Sequence, residues 1–193
     1  MTARYTAAQF RALMEQRRGG RAVQPAAAAK APAKKKSPKK APPHPGLPST
    51  PPTPAVEPLL ASLSGTGRTW TLLMPYREEM LDSNQRLHHM AVHRIRKRLR
   101  EDAANLAVGL PRLQRAAVYY FLHPRPLSRK RDPGNWAPTV KPYVDGLVTD
   151  GGLLPDDSHE FLMGPIPVMG EPVTTGFARM SLVIVELTGP LTS

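Results

Sequence analysis

The sequence predicts an α+β domain: a small mixed sheet of about four strands, in the order β-α-β-α-β-β, packed by two helices and preceded by a disordered basic tail. Three observations predict it. The runs TWTLLM (69–74), AAVYYFL (116–122) and ARMSLVIVEL (178–187) have the β-branched and aromatic composition of strands. Between the first two, Leu87, Ala91, Ile95, Leu99 and Ala103 recur every four residues, which is the stripe of an amphipathic helix. Ahead of them, residues 19–56 are mostly Ala, Lys and Pro, a composition that cannot bury enough apolar surface to offset the entropy of ordering.

The tail also carries the charge. The chain has 27 Lys and Arg against 15 Asp and Glu, for a net charge of +12. Residues 1–56 hold 11 of the basic residues and one acidic residue, Glu15; the remainder is close to balance at +2. A tail of that sign favours nucleic acid or an acidic surface, because each lysine that meets a phosphate releases counterions. A solubilising spacer is the alternative. Within the tail, residues 6–18 have the pattern of a short helix, with Thr6 as cap and Phe10, Leu13 and Met14 on one side. Such a helix is marginal alone. The domain reading is therefore 1–18, a short helix; 19–56, a linker; and 57–193, the folded domain. There is no cysteine, which excludes disulfides and thiolate zinc sites and suits a reducing cytoplasm. No apolar run approaches the roughly 20 residues of a membrane helix, and no secretory leader is expected.

Inside the domain, Leu59, Leu60 and Leu63 are expected at the margin of the core. The first strand, 69–74, is ended by Pro75. Asp82, Ser83 and Asn84 offer caps for a helix running to about Leu106. Arg86, His89, His93, Arg94, Arg96, Lys97, Arg98 and Arg100 fill much of its remaining surface, a run one-signed enough to suggest phosphate contact. His89 and His93 stand four apart, as a zinc pair does, but no third ligand accompanies them. A break at 109–111 precedes the second strand, expected to be central. A short helix follows over 138–150, with Lys141 and Asp145 on one face and Gly151 and Gly152 ending it. The third strand, 161–168, is interrupted by prolines and so reads as an edge.

The chemistry concentrates in 129–157, RKRDPGNWAPTVKPYVDGLVTDGGLLPDD. Three cations, Arg129, Lys130 and Arg131, lead into Asp132; Lys141, Asp145, Asp150, Asp156 and Asp157 follow. Cations draw in a polyanion, and neighbouring carboxylates suit a hard divalent metal that activates water beside a phosphoryl group. The same residues also read as turns and caps: Asp-Pro-Gly-Asn, Asp-Gly and Pro-Asp-Asp-Ser all punctuate structure on local chemistry alone.

In order and spacing, this run resembles the core of the RusA-type Holliday-junction resolvases of phages and actinobacteria: a basic run, Asp-x-x-Asn, a Lys, an Asp-Gly-Leu helix and a Gly-x-Leu-x-Asp-Asp turn. The resemblance covers about residues 70–187. It implies a small dimeric, Mg²⁺-dependent endonuclease that cuts branched DNA. Asp132 matches the first acidic ligand, Asn135 the motif's Asn, Lys141 its lysine, and Asp156 with Asp157 the closing acidic pair. On that basis Asp132, Lys141 and Asp157 are the catalytic candidates, and Asp132, Asp157, Asp156 and Asp145 the metal candidates. The DNA-contact candidates are Asn84, Arg86, His88, Arg129, Lys130, Arg131 and Asn135. Asn84, Arg86 and His88 fall in a segment, SNQRLHHMAVHRIRKR, that is also similar to the family. One departure stands out. The family's second carboxylate, two residues after the first, is Gly134 here. The site then works with fewer acids, or recruits Asp145 or Asp156, or is weakened to a DNA-binding protein without strong cutting. A flap or fork nuclease is a further alternative.

Overall fold

A computed structural model describes residues 49–76, 79–125 and 131–189. The expected helix over 6–18, the linker up to residue 48, and Arg129 and Lys130 lie outside the described residues.

The described chain is α+β, as expected. A short helix α1 (Glu57–Leu60) precedes β1 (Thr66–Leu73). The long helix α2 (His89–Ala107) and β2 (Ala116–His123) follow. A 3₁₀ turn (Pro133–Trp136) runs directly into α3 (Ala137–Asp145), which continues as a π-helical turn (Gly146–Asp150). Two strands, β3 (Leu162–Met169) and β4 (Arg179–Leu187), complete the fold. The sheet order is β1-β4-β2-β3. β4 is antiparallel to both neighbours, and β2 and β3 are parallel. β2 is central and buried along its whole length, and the proline-bearing β3 is an edge. Gly164 has a φ of 105° where the register of β3 shifts against β2; that backbone conformation suits only glycine.

The two faces of the sheet are covered differently. On the inner face, Ile95, Leu99, Ala103 and Ala107 of α2 pack with Val140, Tyr143, Val144 and Leu147 against Val118, Tyr120, Leu182 and Ile184. On the outer face, Tyr119, Phe121, Val183, Val185 and Leu187 are covered by Val56, Leu59, Leu60 and Leu63. This strap begins earlier than the sequence reading placed it. Residues 49–56, expected as linker, are docked. The Ser49 hydroxyl accepts from the Thr174 and Thr175 amides at 3.0 and 3.1 Å, Arg179 donates to the Ser49 carbonyl at 3.4 Å, and Pro51 is buried.

The start of α2 also differs from expectation. It is capped by His88, whose Nδ1 accepts from the Met90 amide at 3.3 Å, and not by Asp82, Ser83 or Asn84. Those three are occupied elsewhere. Asp82 Oδ1 takes the Asn84 amide at 2.8 Å, and Ser83 is bonded to Asn135. Leu87 falls outside the helix and is 46% exposed, so it is not part of the buried stripe.

Candidate active site

Each sequence-derived residue is set by a local cause. The Asp132 carboxylate accepts from the Gly134 amide at 2.9 Å, so it caps the 3₁₀ turn that begins at Pro133. Proline at the first position of that turn has no amide to leave unsatisfied. The buried Tyr120 of β2 donates its hydroxyl to the Pro133 carbonyl at 3.1 Å, tying the turn to the central strand. Burial, and then the nearby Asp132 charge, push the Tyr120 pKa up, which keeps that hydroxyl a donor. Arg131 lays its guanidinium over Trp136, 5.6 Å from the ring centre. Its Nε is buried with no hydrogen-bond partner among the described residues.

Asn135 is bonded twice to Ser83. The Ser83 amide donates to its carbonyl at 2.8 Å, and the Ser83 hydroxyl to its Oδ1 at 3.1 Å. The Asn84–His88 segment and the Asp132–Asn135 turn are thereby one surface, with Asn84, Arg86 and His88 all exposed. Nearby, Thr139 Oγ1 bridges the backbone of Leu81 with two bonds of 2.7 Å, fixing this segment to α3.

The centre of the arrangement is Lys141. Its ammonium donates to Asp145 Oδ1 at 2.8 Å and to Asp157 Oδ2 at 2.6 Å. The first bond is the expected pairing four residues apart on a helix; the second joins α3 to the turn after it. Asp145 and then Asp157 raise the Lys141 pKa, and Lys141 in turn holds Asp157 below the usual carboxylate range. Asp156 Oδ1 accepts from the Asp157 amide at 2.8 Å, which shapes the turn that presents Asp157. Asp150, read from sequence as a cap, instead pairs with Arg100 of α2, with Nη2 to Oδ1 at 2.8 Å.

Asp132, Asp145, Asp156 and Asp157 supply oxygen donors of the kind Mg²⁺ prefers. As they stand they do not make a cage for it. Among the described residues no three His, Asp or Glu side chains are placed to hold a metal ion, and the Lys141 charge already sits between two of the acids. Gly134 removes the carboxylate that would stand beside Asp132. A Cβ placed at Gly134 would meet only Asp132, 3.1 Å from its Oδ1.

Beside Lys141 an open groove runs between α2 and α3, lined by His93, Arg96, Lys97, Arg100, Lys141 and Asp145. The sequence marked α2 as basic. It did not show which of its cations face Lys141, because that depends on how the two helices pack.

No protein-family model matches the chain, and a search of curated proteins returns no match.

Proposed function

We propose that this protein is an endodeoxyribonuclease of the RusA type that acts on branched DNA, with Holliday junctions as the preferred substrate. The observation that carries the reading is the Lys141–Asp157 bond of 2.6 Å. It joins two positions of the motif that lie far apart in sequence, one turn of helix beyond the 3₁₀ turn that Asp132 caps. A set of turn residues chosen only for local punctuation has no reason to meet in this way.

In this reading Arg131, with Arg129 and Lys130 of the same basic run, anchors the DNA backbone beside Asp132, which gives affinity without sequence information. Lys141 is the cation that stabilises charge on the scissile phosphate. Asp145 and Asp157 hold its ammonium in place. Mg²⁺ is the cofactor this reading calls for, and Asp132 and Asp157 are the acids that would take it, Asp157 only on release from Lys141; the metal would supply Lewis-acid activation of water and phosphate. Paired incisions across one junction require two sites in one particle, hence a two-fold homodimer.

A second reading is favoured by Gly134 and by the pairing of both Asp145 and Asp157 with Lys141: a DNA-binding protein that cuts weakly or not at all. One experiment separates the two. The full chain is incubated with a synthetic four-way junction and with a linear duplex of the same sequence, in Mg²⁺ or in EDTA, and the strands are read on a denaturing gel. The nuclease reading expects paired, Mg²⁺-dependent cuts confined to the junction. Binding with no cut at any Mg²⁺ concentration selects the second reading.

A further inference from the structure

The basic run of α2 is not one surface. Successive residues of a helix turn by about 100°, and the buried Ile95, Leu99, Asp102 and Ala103 fix which side faces the core. His93, Arg96 and Arg100 fall on one flank of that side and Lys97 on the outward face beside them, and all four line the groove with Lys141 and Asp145. Arg94 and Arg98 fall on the opposite flank, exposed and away from the groove.

The charges within the groove are not mutually satisfied. Arg100 is committed to Asp150 outside it, and Asp145 is bonded to Lys141. Lys97 reaches Glu101 only at 3.9 Å, with both side chains well exposed. Arg96 makes no ion pair among the described residues. The α2 wall of this concave surface is therefore basic, with Arg96 and Lys97 available, while on the α3 wall Lys141 is offset by Asp145. A cleft with an excess of one sign focuses its field and concentrates an anion.

We propose that this groove carries the backbone of one DNA strand to the Lys141–Asp157 centre, with Arg96 and Lys97 as its phosphate contacts, and that Arg94 and Arg98 take no part. The proposal rests on the nucleic-acid reading above and adds the path of the strand and the residues that hold it.

The test compares two double variants of the full chain, R96Q/K97Q and R94Q/R98Q. Each removes two positive charges from exposed positions of the same helix, so both keep the fold, which circular dichroism checks. Binding of a fluorescent four-way junction is measured by anisotropy over a range of salt. For the groove double, the slope of log affinity against log salt should fall by roughly 2, one unit per lost phosphate contact. For the outer double the slope should match the wild type. Equal losses in the two doubles, or a wild-type slope in the groove double, overturn the groove path while leaving the nucleic-acid reading in place. A wild-type chain that binds no junction at all overturns both.

Discussion

Lys141 holds its neighbours by charge, and His123 does so by burial. The His123 ring is 1% exposed at the end of β2. Its Nδ1 lies 2.9 Å from the Glu171 carbonyl, which can only accept, so the proton is on Nδ1 and Nε2 accepts from the Ser181 hydroxyl at 2.9 Å. Burial pushes its pKa below the ordinary value of 6.5. The unfolded chain therefore takes up this proton first. His123 contributes stability that is complete above roughly pH 6.5 and is lost as pH falls through the lower folded value. Urea unfolding between about pH 7 and pH 5 should show the midpoint falling with pH in the wild type, and a flatter dependence in His123→Gln. Equal dependences would remove His123 from the account.

Gly134 offers the sharper residue-level test. Its backbone lies outside the left-handed region that demands glycine, and an added Cβ meets only Asp132. Gly134→Asp should fold as the wild type does and place a second carboxylate beside the first. If the missing acid limits the site, junction cutting should rise at low Mg²⁺; unchanged or reduced cutting would show that the existing acids suffice. The motif singled out Lys141 and Asp157, which do meet, and Asp132, which caps the 3₁₀ turn. Asp150 was not legible, because its partner Arg100 stands 50 residues away and belongs to another helix. Ser83 departs from expectation for a similar reason. It is a good cap by local chemistry, but Asn135 of a distant turn uses it first.

At the scale of elements, α2 and the chain after α3 approach so closely that the contact is made by glycine. A Cβ at Gly146 would collide with the Arg100 carbonyl and lie 2.9 Å from the Ala103 Cβ; one at Gly151 would collide with Ala107. The helix expected over 138–150 does run through Gly146, which continues it as its π-helical turn; the demand for glycine there comes from the neighbouring helix and not from its own backbone. Gly146→Ala should destabilise the fold by about 1–3 kcal/mol, the usual cost of overpacking, read from urea unfolding. It should also weaken junction binding by moving α2, and with it Arg96 and Lys97, relative to Lys141. A variant as stable as the wild type would show that the two elements are not held at this point. The strand runs and the α2 stripe were legible because burial imposes their periodicity. The crossing of α2 over α3 left no such pattern.

For the whole molecule, residues 49–56 belong with the domain and not with the linker. All 11 basic residues of the N-terminal part lie before residue 49, so deleting 1–48 removes the whole +10. That deletion should leave the thermal midpoint unchanged, lower DNA affinity and flatten its salt dependence. Deleting 1–63 removes the strap as well. Val56, Leu59, Leu60 and Leu63 are part-buried on the outer face, and at about 1 kcal/mol each their loss costs on the order of 4 kcal/mol. The longer deletion should melt lower and expose Tyr119, Phe121 and Val185. Equal melting points for the two truncations would show that the strap contributes nothing. Leu59, Leu60 and Leu63 pack against the core as expected, whereas residues 49–56 read as linker because proline-rich composition says only that a segment has no core of its own. It does not say whether another core receives it.

The central claim is that Asp132 and Asp157 are the acids of a nuclease site organised by Lys141. The most direct measurement is cleavage of a four-way junction by Asp132→Asn and Asp157→Asn, with binding measured in parallel. Asp150→Asn, which loses only the exposed pair with Arg100, is the control. The account predicts Mg²⁺-dependent paired cuts by the wild type and the control. Each of the other two variants should lose cutting while binding the junction at least as tightly, because a negative charge near the phosphates is gone. Cutting at the wild-type rate by both Asp132→Asn and Asp157→Asn would contradict it, and would return these acids to the role of turn residues.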